Sequence, residues 1–342
     1  MELNKINLYM QFTYLLGIDI SKSKIDLALS ENKAGASLTL KEFSNHLKGY
    51  KKMLEWLCEK KVDLDKLLVC MENTGIYHHL LVNYLQSQKV FCWVENPVAI
   101  KWSMGLQRGK TDKIDAQRIG LYAFRNQDKA KAYSLKDKNL QKVSELLSAR
   151  ERLIKARKML LTPIGELKQA GLVEEEKMVK KACKQSLYAL EKEIKSIDKD
   201  LEGLVEADTT LKASYSYIRS VDHVGAITAL QLLTYTHDFE RFDNAKKLGS
   251  YAGVVPFEYS SGSSIRGRTR VHPMANKRLK TSLHMCALSA IRRAGTMRSY
   301  FERKVKEGKN KMSVLNAVRN KILQRIYACV KGERMYVPLQ TS

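Results

Sequence analysis

Acidic residues all but vanish from the end of this chain: from Ser264 to Ser342 there are three, against 19 Lys and Arg. Proline is scarce as well, with five in 342 residues. The six cysteines (Cys58, Cys70, Cys92, Cys183, Cys286 and Cys329) form no CxxC pair and no Cys/His cluster, which argues against a zinc site. Several lie in apolar stretches and read as small buried thiols of a reducing compartment. No apolar run approaches the length of a membrane span, and Met1 to Tyr14 lacks a signal-peptide cleavage pattern. A cytoplasmic protein with no membrane partner is therefore expected. What the chain does have is charge of one sign, 60 Lys and Arg against 36 Asp and Glu, for a net +24. The excess is concentrated in the last third, and such one-sidedness implies a polyanionic partner.

The opening region alternates short apolar runs with amphipathic ones. Leu15–Ile20, Ile25–Ser30 and Leu38–Phe43 read as three successive strands. A helix from about His46 to Cys58, a strand ending at Glu72, a helix from about Gly75 to Gln86, a strand Val90–Val94 and a helix after Pro97 follow. The order βββαβαβα is the layout of an RNase H-like α/β sheet. In the middle, Leu187, Leu190, Ile194, Ile197, Leu201 and Leu204 alternate spacings of three and four, a coiled-coil seam. Leu140, Leu147, Ile154 and Leu161 form a second row at sevens, and Pro163, Gly165 and Gly171 are expected to break the helix between the rows. An antiparallel arm of two long helices is the simplest reading, its seam closing within one chain or between two. The division is thus 1–130 for the sheet domain, 131–211 for the helical arm and 212–342 for a basic, mainly α C-terminal domain. That last part opens on Ile218–Ala229, which resembles a helix-hairpin-helix able to offer backbone N–H groups to phosphate. Asp222 and His223 replace the usual Pro-Gly of that turn, so a plain helical hairpin is equally expected.

The chemistry-bearing residues are acidic and lie early. Asp19 closes the first apolar run and Glu72 the fourth; a carboxylate at the end of a buried strand is costly unless a cation compensates it. Asp112 and Asp115, three apart in Lys110-Thr111-Asp112-Lys113-Ile114-Asp115-Ala116, share one face at a helix start. Each alone is unremarkable; the four in this order suit hard divalent cations, two Mg²⁺ ions with Mn²⁺ as substitute. Asp26 and Glu95 lie where they could face the site, but are expected to face solvent, or in the case of Glu95 to cap Pro97. Lys101, Arg108, Lys110 and Lys113 surround the paired aspartates and either hold a phosphate backbone or balance charge locally. A second constellation is Ser260-Ser261-Gly262-Ser263-Ser264 followed by Arg266, Arg268 and Arg270. Composition alone reads this as a flexible turn before a basic strand. The alternating arginines would also suit a bidentate phosphate clamp, beside which a serine hydroxyl could attack phosphorus. Lys277 and Arg278 extend the basic surface.

At this point the chain resembles a known family. Gly17-Ile18-Asp19-Ile20-Ser21, Met71-Glu72-Asn73-Thr74-Gly75, the Thr111-Asp112…Asp115-Ala116 block and Ser261-Gly262 stand in the order of the DEDD transposases. These are the insertion-sequence recombinases of the "IS one-ten" group, related to Piv-type DNA invertases. Arg241-Phe242, Leu248–Gly253 with Pro256, and Asn276 with Leu279 and Leu283 are supporting matches; Ala275 departs from the family's Gly. The resemblance implies a RuvC-like first domain binding Mg²⁺ through Asp19, Glu72, Asp112 and Asp115. It implies a C-terminal transposase domain whose serine, Ser261 with Ser260 as fallback, becomes joined to DNA. It further implies donor and target duplex DNA, a structured guide RNA from the element itself, and homo-oligomers from dimer to tetramer with composite active sites.

Other classes are separable. A RuvC-like junction nuclease using the acids alone would release free ends. An actin-like sugar kinase or ATPase would share Leu16-Gly17-Ile18-Asp19, but it needs a second Gly-rich phosphate loop that the chain lacks. A non-enzymatic nucleic-acid scaffold would not need all four acids.

Overall fold

The computed structural model describes residues 12–73, 75–105, 111–133, 137–255, 257–261, 265–271 and 274–338, with side chains described in all but 257–261 and 265–270. Arg108, Lys110 and Gly262 therefore lie outside the described residues. The chain forms two compact units, Met1–Leu135 and Lys136–Ser342.

The first unit is a five-stranded mixed sheet flanked by helices. Its strands are β1 (Tyr14–Ile20), β2 (Lys24–Glu31), β3 (Thr39–Ser44), β4 (Leu67–Glu72) and β5 (Phe91–Glu95), and its helices α1 (Leu47–Glu59), α2 (His79–Ser87), α3 (Pro97–Ser103) and α4 (Asp112–Asn126). The order across the sheet is β3-β2-β1-β4-β5. β1, β2 and β3 run antiparallel to their neighbours, while β4 lies parallel to β1 and β5 parallel to β4. Side chains alternate between faces along a strand, and here both faces are covered. Leu16, Ile18, Ile25 and Leu27 pack with Tyr50, Met53, Leu57, Leu81 and Leu85 of α1 and α2. The opposite face, with Leu15, Leu68, Cys70 and Trp93, packs on Ile119, Tyr122 and Ala123 of α4. That double burial is why β1 and β4 read as continuous apolar runs.

The second unit is mainly helical. It contains α5 (Lys138–Gln169), α6 (Val173–Glu206), α7 (Thr209–Arg219), α8 (Ala226–Thr236), α9 (Ala245–Tyr251), the ribbon β6 (Phe257–Ser261) with β7 (Ile265–Arg270), then α10 (Lys277–Arg292), α11 (Thr296–Lys306) and α12 (Lys311–Lys331). α5 and α6 form an antiparallel hairpin: Arg150 bonds Asp198 and, seven residues further along each helix, Arg157 bonds Glu191. The base of the hairpin, at Leu140, Val143, Leu201 and Val205, belongs to the same core as Ile218, Leu233, Leu283 and Ile322.

Two expectations about this hairpin need correction. Pro163 and Gly165 do not end the helix; both lie inside α5, and the chain turns at Gly171 in the left-handed region, φ 77°. Proline removes one N–H donor, which a 32-residue helix tolerates on an exposed stretch where water can take the freed carbonyl. The row at sevens is covered at Leu140, Leu147 and Leu161 but exposed at Ile154, where the neighbouring Leu153 is partly covered instead. The covered stripe runs through Val143, Leu146, Arg150, Leu153, Arg157, Leu160 and Ile164. Two of its positions are arginines, whose apolar stems cover the seam while their heads reach acids on α6.

Candidate active site

Strand register sets out a line of acids that the early sequence only half reveals. Glu42 of β3 pairs with Asp26 of β2, Asp26 with Asp19 of β1, and Glu72 of β4 with Glu95 of β5. The parallel register that matches Ile18 with Met71 sets Asp19 beside Glu72. Each of the five strands thus contributes one carboxylate at the same level of the sheet. Like charges directly opposite one another in a sheet repel, a cost that nearby cations or protonation relieve.

α4 brings the other two acids to it. The helix crosses β1 at Gly17, where an added Cβ would lie 2.3 Å from the Gly120 nitrogen and 2.4 Å from the Ala116 carbonyl oxygen. Only glycine allows so close an approach. Gly17 and Asp19 point the same way from β1, so the first turn of α4, immediately before Ala116, lies over Asp19. Thr111 caps that turn by accepting from the Ile114 N–H at 3.3 Å. Asp112 and Asp115 both sit at its N-terminus, where the helix dipole favours negative charge.

The electrostatics record the crowding. The Asp19 carboxyl is pushed up to about 6, first by burial and then by the charges of Asp115, Asp112 and Asp26. Asp19, Asp112 and Asp115 are therefore brought together. Asp26, expected to face solvent, is buried at 2% exposure and faces the same site. The reason is position, because β2 lies inside the sheet between β1 and β3. Glu95 does not cap α3; Asn96 does, accepting from the Val98 N–H. Glu95 instead accepts from the Tyr122 hydroxyl at 3.3 Å and from the Asn96 N–H.

Two cations answer the acids. Lys24 Nζ lies 3.1 Å from Asp26, 3.1 Å from Glu42 and 3.0 Å from Asp112. The hydrogen bond to Asp112, then those to Glu42 and Asp26, raise the lysine's pKa. Arg118, one turn along α4, donates to Asp115 at 2.8 Å. Among the described residues no three His, Cys, Asp or Glu side chains are arranged to hold a metal ion. Sequence reasoning missed Lys24, Glu42 and Asn45. The Asn45 amide donates to the carbonyls of Ser21 and Tyr77 at 2.8 and 3.2 Å, tying the loop after β1 to the loop after β4. Its carbonyl oxygen accepts from the Tyr50 hydroxyl. Period-two alternation from Asp26 and Glu42 could have signalled the wider row.

In the second unit, Ser261 ends β6 and its Cα pairs with that of Ile265, while Ser260 pairs with Arg266; Arg268 and Arg270 lie further along β7. Asn276 caps α10 by accepting from the Leu279 N–H, and its amide donates to the Tyr251 hydroxyl, both at 3.0 Å. Leu279 and Leu283 are fully buried. Lys277 and Lys113 are exposed, and Arg278 pairs with Glu151 of α5 at 3.0 Å. At the turn between α7 and α8, His223 adopts φ 68°, a conformation usually given to glycine, and bonds Ser289 at 3.3 Å. No helix among the described residues is long and apolar enough to cross a membrane.

A carboxylate row in one unit and a basic helical second unit make this a protein built to process a polyanion. Residues 16–167 match a family model described as a transposase, the DEDD type of IS110, and residues 215–302 match one described as the transposase of the IS116/IS110/IS902 family. The pilin gene-inverting protein of Moraxella bovis is 26% identical over 335 residues, 96% of this chain and 98% of that protein. The protein of insertion element IS110 from Streptomyces coelicolor is 26% identical over 151 residues, 44% of this chain and 36% of its own length. The transposase for IS1111A of Coxiella burnetii is 28% identical over 181 residues, 46% of this chain and 49% of that protein. The chain belongs to the IS110 family of transposases, and is accordingly a DNA recombination enzyme.

Proposed function

We propose that this transposase cuts and rejoins duplex DNA at a divalent-metal site formed by Asp19, Glu72, Asp112 and Asp115, with Ser261 as nucleophile. The observation that carries the reading is the α4–β1 crossing at Gly17, which sets two helix-borne acids over Asp19. The donor set fits Mg²⁺ or Mn²⁺ in two respects. It is all carboxylate oxygen, as hard cations require. It also carries negative charge that Lys24 and Arg118 do not discharge, since burial and neighbouring acids still raise Asp19 and the Asp26 Oδ1 atom is buried without a hydrogen bond. When bound, two such ions would neutralise the phosphate and stabilise charge on the attacking and departing oxygens. The sheet acids supply the fixed ligands and the first turn of α4 the adjustable ones. The mixed sheet order and the family support an RNase H-like (RuvC-like) fold for the first domain.

The chemistry proposed for Ser261 balances within the chain and its substrate. The serine oxygen bonds to phosphorus, the bond from phosphorus to the departing sugar oxygen breaks, and that oxygen takes the serine proton. A new sugar hydroxyl reverses these steps, so joining needs no nucleotide hydrolysis. Arg266, Arg268 and Arg270 would hold the phosphate, and Arg108, Lys110, Lys113, Lys277 and Arg278 the flanking backbone. The three parts 1–130, 131–211 and 212–342 would then be a cytoplasmic enzyme's metal domain, assembly arm and serine domain. The family resemblance and the basic last third support a structured guide RNA, and the resemblance supports dimers or tetramers with composite sites.

Trapping a DNA–protein adduct tests the assignment: Ser261→Ala and Asp19→Ala should each abolish it. Free cleaved ends without an adduct would replace this reading with a junction nuclease. Site-specific inversion is a second reading, favoured by the pilin gene-inverting relatives, which align along nearly the whole chain. A paired-site plasmid assay separates inversion from insertion.

A further inference from the structure

We propose that Lys24 is a displaceable counter-ion of the carboxylate row: its ammonium group neutralises the metal-free site and releases Asp112 when a divalent cation enters. This rests on the divalent-metal reading above and adds to it a residue outside the four acids of that site. Lys24 lies two residues before Asp26 on β2, on the same face of the sheet. Its three acceptors come from three elements, β2, β3 and α4, so a single ammonium joins the sheet row to the helix that carries Asp112.

The three contacts differ in kind. The Asp26 side chain is 3% exposed, and a buried carboxylate carries a desolvation cost that a close cation offsets. Asp112 and Glu42 are 54% and 50% exposed, and a water-accessible ion pair is weak and exchanges readily. Lys24 therefore has one buried partner, Asp26, and two water-accessible ones, Asp112 and Glu42, from which it can be displaced. At 34% exposure its head can be rehydrated when it moves. A permanent structural salt bridge and a displaceable counter-ion make different predictions. Removing the first lowers stability and leaves metal affinity where it was. Removing the second also leaves Asp112 unclaimed and the field more negative, so a divalent ion binds more tightly.

The test is a Mn²⁺ titration of the full chain, with free Mn²⁺ followed by electron paramagnetic resonance, for wild type, Lys24→Met and Lys24→Arg. Lys24→Met should bind Mn²⁺ on the order of tenfold more tightly, an advantage that shrinks as salt rises. Its metal-free melting temperature should fall and recover with Mn²⁺, while Lys24→Arg, which keeps the charge, should bind as wild type does. Where Lys24→Met does not fold, Lys24→Gln replaces it with the same expected direction. Unchanged or weaker binding in a folded charge-removing variant, beside saturable binding in wild type, overturns the counter-ion role and leaves the metal site standing. Absence of saturable binding in wild type overturns the metal reading itself, and this inference with it.

Discussion

Two glycines face each other where α4 crosses β1, and they should respond oppositely to the same added methyl group. A Cβ on Gly17 would sit 2.3 Å from the Gly120 nitrogen, 2.4 Å from the Ala116 oxygen and 2.7 Å from the Gly120 Cα. These are backbone atoms and have no rotamer to change. The helix would have to lift by about 1 Å to restore ordinary contact. Overpacking of this kind costs about 1–3 kcal/mol, partly offset by the roughly 0.5–1 kcal/mol that alanine gains over glycine in a strand. A Cβ on Gly120 meets nothing closer than the Ala28 oxygen at 3.6 Å. Gly120→Ala should therefore be neutral or stabilising by up to about 1 kcal/mol through helix propensity. Because Asp115 directly precedes Ala116, the lift in Gly17→Ala should also pull both helix-borne acids from Asp19 and weaken Mn²⁺ binding. Thermal melts of the full chain and Mn²⁺ titrations measure both effects. Equal melting and binding in Gly17→Ala and wild type would refute the crossing as the device that assembles the site, as would a Gly120→Ala variant damaged to the same degree.

Three further outcomes follow from named contacts. The folded-state pKa of Asp19, about 6 against an ordinary 3.8, means that folding favours its protonated form. That contribution is present at about pH 4 and lost as pH rises through about 6. In metal-free buffer near pH 7.5, Asp19→Asn should therefore melt higher than wild type, by about 1 kcal/mol once solvent screening is allowed for, with the gap closing near pH 4 and reversing when Mg²⁺ is added; a gap of constant size would contradict the assignment. Asn45→Ala should cost about 1–2 kcal/mol, because the buried Tyr50 hydroxyl and two loop carbonyls lose a partner, and hydrogen exchange at the Ser21 amide, which donates to the Lys24 carbonyl in the same loop, should rise; unchanged exchange there would dismiss it. Asn276→Ala removes the cap of α10 and should cost about 1 kcal/mol in a thermal melt, an effect absent in the neighbouring exposed Lys277→Ala.

How far the sequence alone carries can be judged residue by residue. The strand runs around Leu16 and Val69 were legible because double burial leaves an uninterrupted apolar stretch. The acids that end those strands, Asp19 and Glu72, were legible for the same reason. Asp112 and Asp115 were found from their spacing. Glu42 was missed and Asp26 assigned to solvent because their place beside Asp19 depends on hairpin register, which no local pattern states. Lys24 was missed because its partners lie on three elements. The heptad row on α5 failed only at Ile154, because the seam there runs between Arg150 and Arg157, which a search for leucines passes over. Pro163 misled because a long helix supported along its length absorbs one missing donor. The chemistry of Ser261 rests on motif order, since only the backbone register of its strand enters the description.

The most direct test of the central claim is anomalous diffraction from crystals of the full chain soaked in Mn²⁺. The account predicts manganese peaks bounded by the carboxylates of Asp19, Glu72, Asp112 and Asp115, with Asp112 turned away from Lys24. Peaks elsewhere, or none at a concentration that saturates the protein in solution, would contradict it.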